Sequence, residues 1–178
     1  MKKKTLNIKE LCLIGLTTTI ICIMAPLSIP MPLGVPMTMQ TFIIMIVAIV
    51  LGAKRGATAT LLYILLGAFG LPVFSNFTGG WQVLVGPTGG FILSFPIMAY
   101  LIGLGSDYRF RTKVAFLIGI IAGNLTNLAI GTFIFCLIGN TSLLAGLTAC
   151  VLPFLPITII KIFLSWSLGL KIKSSCKS

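Results

Sequence analysis

The chain has 178 residues, 57% of them hydrophobic and only 8% charged, with a formal net charge of +11 and a mean hydropathy of +1.14. A soluble domain is about 25% charged, so a soluble protein of this composition would have no surface to face water, and the chain reads as an integral membrane protein. Its basic residues flank apolar runs and form no single basic face, which argues against a nucleic-acid partner and for a lipid bilayer with anionic headgroups.

The first 27 residues begin like a signal peptide, with Lys2, Lys3 and Lys4 ahead of an apolar stretch. That stretch runs from Leu11 to Leu27 and is followed by prolines instead of a small-x-small cleavage site, so it is read as a retained first transmembrane helix. A spanning helix needs about 20 mainly apolar residues. Six candidates follow, at about 8–27, 37–53, 56–70, 89–106, 113–138 and 144–170. The last is expected to be disturbed near Pro153 and Pro156, because a helical proline frees backbone carbonyls that need partners inside the protein. The expected architecture is one all-α membrane domain, residues 1–178, with six transmembrane helices and an irregular ligand-capping loop between the third and fourth.

The charges fall in alternate connections. Lys2, Lys3, Lys4, Lys9 and Glu10 precede the first helix, and Lys54 and Arg55 join the second to the third. Asp107, Arg109, Arg111 and Lys113 join the fourth to the fifth, and Lys171, Lys173 and Lys177 follow the sixth. The other three loops carry no charge. The positive-inside rule then puts both termini in the cytoplasm, which demands an even number of spans. Of 13 basic residues only Lys161 escapes this pattern. It lies inside the sixth helix, roughly 15 Å from the end of that helix at 1.5 Å per residue, and neither acid is near it in sequence.

The loop after the first helix is stiffened by Pro30, Pro32 and Pro36. Residues 72–90, PVFSNFTGGWQVLVGPTGG, are too apolar for a free aqueous loop and too rich in glycine for a helix. They read as a segment folding back onto the outer face, either to bind a ligand or to cap the bundle; Trp81 would serve equally as an interfacial belt residue. No phosphate-binding motif occurs, so energy-driven transport would need a separate ATPase. With no histidine, and both acids at helix ends, an enzyme is a poor reading. The five cysteines are scattered without metal spacing, and neither a metal site nor a cofactor is expected. The polar residues left within or beside apolar segments are Gln40, Asn76, Thr78, Gln82, Asn124, Asn127, Thr158 and Lys161. Thr158 and Lys161 are three apart and share a helix face, as do Asn124 and Asn127. The asparagines suit helix–helix hydrogen bonds or a ligand alike. Lys161 suits snorkelling, freed carbonyls near Pro156, or a small polar or anionic solute.

The segment GLPVFSNFTGGWQVLVGPTGGFILSFP, residues 70–96, together with VPMTMQTF, LGAKRG at 51–56 and GN at 123–124, resembles the BioY family, the biotin-capturing S components of energy-coupling-factor transporters. The resemblance implies a multi-pass protein of the bacterial cytoplasmic membrane that takes biotin at the outer face and docks on a transmembrane coupling protein bound to two ATPase subunits. It implies ligand contact at Asn76, and an Asp-x-x-Lys pattern in the last helix of which Lys161 keeps the lysine while Thr158 replaces the acid. Substrate-binding candidates are therefore Gln40, Asn76, Thr78, Trp81, Gln82, Asn124, Thr158 and Lys161. Small residues on the first helix of such proteins serve docking on the coupling protein, and Gly15, Thr18, Thr19 and Cys22 match that pattern. Alternatives are a different small carboxylated vitamin or a membrane scaffold whose loop only caps the bundle.

Overall fold

A computed structural model describes residues 7–29, 35–107 and 113–175. The expectations for Lys2, Lys3, Lys4, Pro30, Pro32, Arg109, Arg111 and Lys177, and for Cys176, lie outside the described residues. Eight helices and one two-stranded ribbon follow in chain order among those residues: α1 (Ile8–Met24), β1 (Ser28–Ile29), β2 (Met37–Thr38), α2 (Gln40–Leu51), α3 (Ala53–Ala68), α4 (Trp81–Leu84), α5 (Gly89–Asp107), α6 (Lys113–Gly139), α7 (Leu143–Cys150) and α8 (Leu155–Ser175). The ribbon is antiparallel, with Ser28 opposite Thr38 and Ile29 opposite Met37.

The all-helical membrane architecture expected from composition is present. α2 runs through the middle and packs on α1, α3, α5 and α8. Ile44, Met45, Ala48 and Ile49 are fully enclosed along it, which is why its sequence is apolar on every side. α1 buries only Ile14, Thr18 and Ile21, spaced at one face of a helix, and leaves Leu11, Leu16 and Ile23 outward. Leu61, Leu65, Ile118 and Leu125 are also exposed, so the outside of the bundle is as apolar as its core. Only a lipid surround makes that arrangement favourable. By length and composition, α5 and residues 114–139 of α6 suffice to cross a bilayer, and α7 with residues 155–169 of α8, bent by 47° at the break, does so when the two are counted together as one span. The helices α1, α2 and α3 are shorter, at 17, 12 and 16 residues.

Two boundaries differ from expectation. Lys54 and Arg55 do not sit in a linker but in the first turn of α3, because Gly52 alone makes the turn from α2, with φ 81. A side chain at Gly52 would strike the carboxylate of Asp107, whose Oδ2 accepts the Ala53 N–H at 3.0 Å. Asp107 thus caps α3 from the end of α5, where a negative charge also complements the helix dipole. Arg55 pairs with Glu10, tying α3 to α1 at the same end. The second difference is the last predicted helix, which is two. Val151–Phe154 break it, Pro153 falls in the break, and Pro156 sits in the first turn of α8, where its missing N–H costs nothing.

The α5–α6 pair is the most extensive contact in the bundle. Gly119 and Gly123, in the run GIIAG, let α6 approach α5 closely. A Cβ at Gly119 would lie 2.7 Å from the Cα of Gly105 and one at Gly123 would lie 2.9 Å from the Met98 carbonyl oxygen. Backbone cannot yield as a side chain can. Gly119→Val is therefore expected to destabilise the protein by at least about 1–3 kcal/mol, read as a lower midpoint of thermal unfolding in detergent; an unchanged midpoint would show that the seam tolerates separation.

Candidate ligand-binding site

The N-termini of α2, α5 and α8 converge on one cavity of about 710 Å³, counting its open mouth. It lies at the end of the bundle away from Glu10, Arg55 and Asp107. Phe91, Ile92 and Phe95 from α5, with Phe154 and Ile157 around the α7–α8 break, give it apolar walls. Thr38, Gln40 and Thr41 line it from the start of α2, Ser75 and Thr88 from the loop, Asn124 and Asn127 from α6, and Thr158 and Lys161 from α8. Lys161 is the single charged residue among those lining it. Its ammonium gives the cavity a positive charge that no lining acid offsets.

Lys161 does have partners. Its Nζ donates to the Thr38 carbonyl at 2.6 Å and to Thr41 Oγ1 at 3.1 Å. The carbonyl that holds it belongs to β2, not to the neighbourhood of Pro156. An ammonium has three hydrogens, and these two bonds use two, so one donor is left for a ligand. Thr158 stands one turn earlier on the same face and lines the same cavity.

Gln40 of α2 and Asn124 and Asn127 of α6 are each held by a packing partner, whereas the buried Thr132 hydroxyl of α6 has none among the described residues. Gln40 Nε2 donates to the Tyr63 hydroxyl at 2.5 Å, and that hydroxyl donates to the Val73 carbonyl at 3.1 Å. Asn124 Nδ2 donates to the Ile120 carbonyl at 2.9 Å and contacts Met45 Sδ at 3.4 Å. Asn127 Nδ2 donates to Ser94 Oγ at 2.7 Å and to the Phe91 carbonyl at 3.0 Å. The helix–helix role open to both asparagines is therefore real, and both also line the cavity.

Of the eight candidate binding residues, Gln40, Asn124, Thr158 and Lys161 come together in the cavity wall. Asn76, Thr78, Trp81 and Gln82 are exposed and lie outside the residues lining it, with Ser75 as the loop's contribution. Their polar atoms serve the loop itself. Asn76 and Ser28 hold each other through two hydrogen bonds, Ser28 Oγ to Asn76 Oδ1 at 2.8 Å and Asn76 N to Ser28 Oγ at 3.0 Å. Thr78 Oγ1 donates to the Ser75 carbonyl, and Gln82 Nε2 to the Gly79 carbonyl. The loop is irregular, as expected: Asn76 and Phe77 in its Ser75–Phe77 turn have positive φ, and the short helix α4 follows. The loop is bound to the first loop by the Ser28–Asn76 clasp and by Asn76 N to the Pro26 carbonyl at 3.1 Å.

The four docking candidates on α1 are divided. Gly15 and Thr19 face outward. Thr18 turns into the bundle, where its hydroxyl donates to the Ala59 carbonyl of α3 at 3.2 Å, and Cys22 packs against the core. Thr38 was missed by sequence reasoning because it acts through its backbone carbonyl, which every residue has, and Thr41 because threonine in an apolar helix ordinarily bonds its own backbone; Phe91, Phe95 and Phe154 were missed because a cavity-lining phenylalanine reads like a core one.

The profile of the BioY family matches residues 1–178. The chain is 41% identical over 162 residues to biotin transporter BioY2 of Lactococcus lactis subsp. cremoris, covering 90% of this chain and 88% of that one. To the biotin transporter BioY of Thermotoga maritima it is 36% identical over 165 residues, covering 93% and 96%. Its fold matches the crystal structure of the S-component for biotin from an ECF-type ABC transporter with a TM-score of 0.83 at 24% identity, over 100% of this chain and 96% of that one. A match along the whole chain, together with identities of this size to relatives of the same length, makes the chain a member of the BioY family.

Proposed function

We propose that this chain binds biotin in the cavity at the N-termini of α2, α5 and α8 and passes it inward through the membrane with an energy-coupling module. The observation that carries this reading is the cavity itself, walled by phenylalanines and holding one lysine with a donor to spare, in a chain whose relatives are named biotin transporters. In this reading Lys161 donates to the ureido carbonyl of biotin, Thr158 Oγ1 accepts a ureido N–H, and the phenylalanine walls cover the sulfur ring. The work is binding and passage, with no bond made or broken.

The charge pattern supports six crossings, by α1, α2, α3, α5, α6 and the bent α7–α8 pair, as one membrane domain in a bacterial cytoplasmic membrane. The charged end, with Glu10, Arg55 and Asp107, then faces the cytoplasm, and the cavity opens outward. The coupling module is a transmembrane coupling protein with two ATPase subunits, and the outward face of α1 around Gly15 and Thr19 is a candidate docking surface.

Labelled biotin titrated into the purified chain is expected to bind saturably at one site, and biotin to outcompete lipoate and dethiobiotin. Absence of saturable binding by folded, monodisperse protein would sink the reading. Lys161→Met is expected to weaken binding by about a hundredfold or more, since it removes a charge-assisted hydrogen bond in a desolvated site; an unchanged affinity would leave Lys161 as a purely structural tie to Thr38. Thr158→Asp is expected to tighten biotin binding, by adding an ionised acceptor three residues from the lysine. A weaker complex would mean that the pocket is built around the hydroxyl.

A further inference from the structure

The Tyr63 hydroxyl links a buried backbone carbonyl to a cavity-lining amide. Tyr63 lies on α3, is fully buried, and does not belong to the cavity lining. Its ring is held edge-on by Phe74, with centroids 5.6 Å apart and planes at 88°. A phenol has one hydrogen to give. The Val73 oxygen, 3.1 Å away, is a carbonyl and can only accept, so the hydrogen goes there. The phenol oxygen then turns a lone pair toward Gln40, at 2.5 Å. A lone pair there admits Nε2 and rejects Oε1, since the flipped amide would set two acceptors against each other. With the hydrogen given to Val73, the amide is assigned with Nε2 toward Tyr63, the orientation that also satisfies the Val73 carbonyl.

We infer that Tyr63 is a positioning residue, one that turns the Gln40 amide so that Oε1 is presented to the cavity as an acceptor and selects a ligand carrying an N–H group at that point. Among the described residues no hydrogen bond is made to Gln40 Oε1. Lys161 of α8 is tied to Thr38 and Thr41, on either side of Gln40 in sequence, so the start of α2 both carries the acceptor and holds the ammonium. This inference rests on the biotin reading above and deepens it. A cyclic urea offers one carbonyl and two N–H groups. Lys161 supplies the donor for the carbonyl, Thr158 Oγ1 one acceptor, and Gln40 Oε1 the second. The amide therefore takes over a share of the acceptor capacity that an acid at position 158 would have supplied.

The test is a double-mutant cycle on the full-length chain in detergent, with biotin affinity as the readout. Gln40→Met is expected to weaken biotin binding about tenfold, Tyr63→Phe several-fold, and the double variant no more than Gln40→Met alone, because Tyr63 acts through the amide. Losses that multiply in the double variant would show Tyr63 to be merely structural and overturn the inference. So would an unchanged biotin affinity in Gln40→Met, which decides the matter even where Tyr63→Phe fails to fold. A biotin methylated at the ureido nitrogen that faces Gln40 adds an independent readout, since Gln40→Met should change its affinity less than about twofold; an equal loss for biotin and for both singly methylated analogues would overturn the assignment of Oε1. Failure of the unmodified chain to bind biotin would instead overturn the ligand reading, a result separable from all of these.

Discussion

Every polar group in this bundle must be satisfied from within, because the surround is as apolar as the core. An unpaired donor or acceptor in hydrocarbon costs several kcal/mol, and among the described residues the chain meets that demand at all but two buried hydroxyls, Thr132 and Ser165. Thr17, Thr19, Thr58, Thr60, Thr126 and Thr148 bond the carbonyl four residues earlier on their own helix. Thr18, Ser106 and Asn127 reach a neighbouring helix. The ammonium of Lys161 is the hardest case, since a lysine inside a spanning helix costs about 2.5–3.5 kcal/mol on the insertion scale. A hydrogen bond from a charged donor returns roughly 1.5–3 kcal/mol. The Thr38 carbonyl therefore offsets most of the cost, and Thr41 contributes the rest. Without these two groups α8 would carry an unsatisfied charge against α2.

That balance bears on capture and release. The proposed ligand offers Lys161 a carbonyl much like the one it already holds. Taking that carbonyl on the spare hydrogen adds a neutral acceptor and breaks neither existing bond, so neither the empty nor the loaded site carries a stranded charge. The clasp also joins α8 to β2, and β1 is joined through Ser28 to Asn76 in the second loop. Both loops at the cavity mouth are thus connected by hydrogen bonds to the residue proposed to meet the ligand. A pull on Lys161 is transmitted to the ribbon along a short, continuous path.

Much of this was legible in the sequence, for identifiable reasons. Apolar runs separated by basic clusters give the helices to within a few residues, because span length and charge asymmetry are properties of single segments. Charge bookkeeping alone isolated Lys161, since the other basic residues flank the apolar runs. Its partners were not legible. Thr38 and Thr41 lie 123 and 120 residues away, and nothing in a threonine marks it as the holder of a distant ammonium. The shift of Lys54 and Arg55 into α3 depended on one glycine with positive φ and on a carboxylate from α5. Asn76, Thr78 and Gln82 looked like ligand contacts because polar side chains stand out in an apolar chain, yet their bonds close the loop on itself and on Ser28. Polarity in a sequence shows that a partner is needed. Only the fold shows whether the partner is backbone, another loop or the cavity.

The threonine at position 158 follows from the same accounting. An aspartate three residues before Lys161 would form an ion pair in a poorly solvated site, and desolvating both ions often costs as much as their attraction returns. Such a pair would also compete with the Thr38 carbonyl for the ammonium, loosening the tie between α8 and β2. With Thr158 the lysine keeps a single-sign environment, held only by neutral oxygens. The ammonium then meets a ligand oxygen with no acid competing for its hydrogens. The cavity gives up one ionised acceptor for N–H groups in return. The amide of Gln40, fixed by Tyr63, supplies a neutral acceptor in the same cavity without restoring the negative charge.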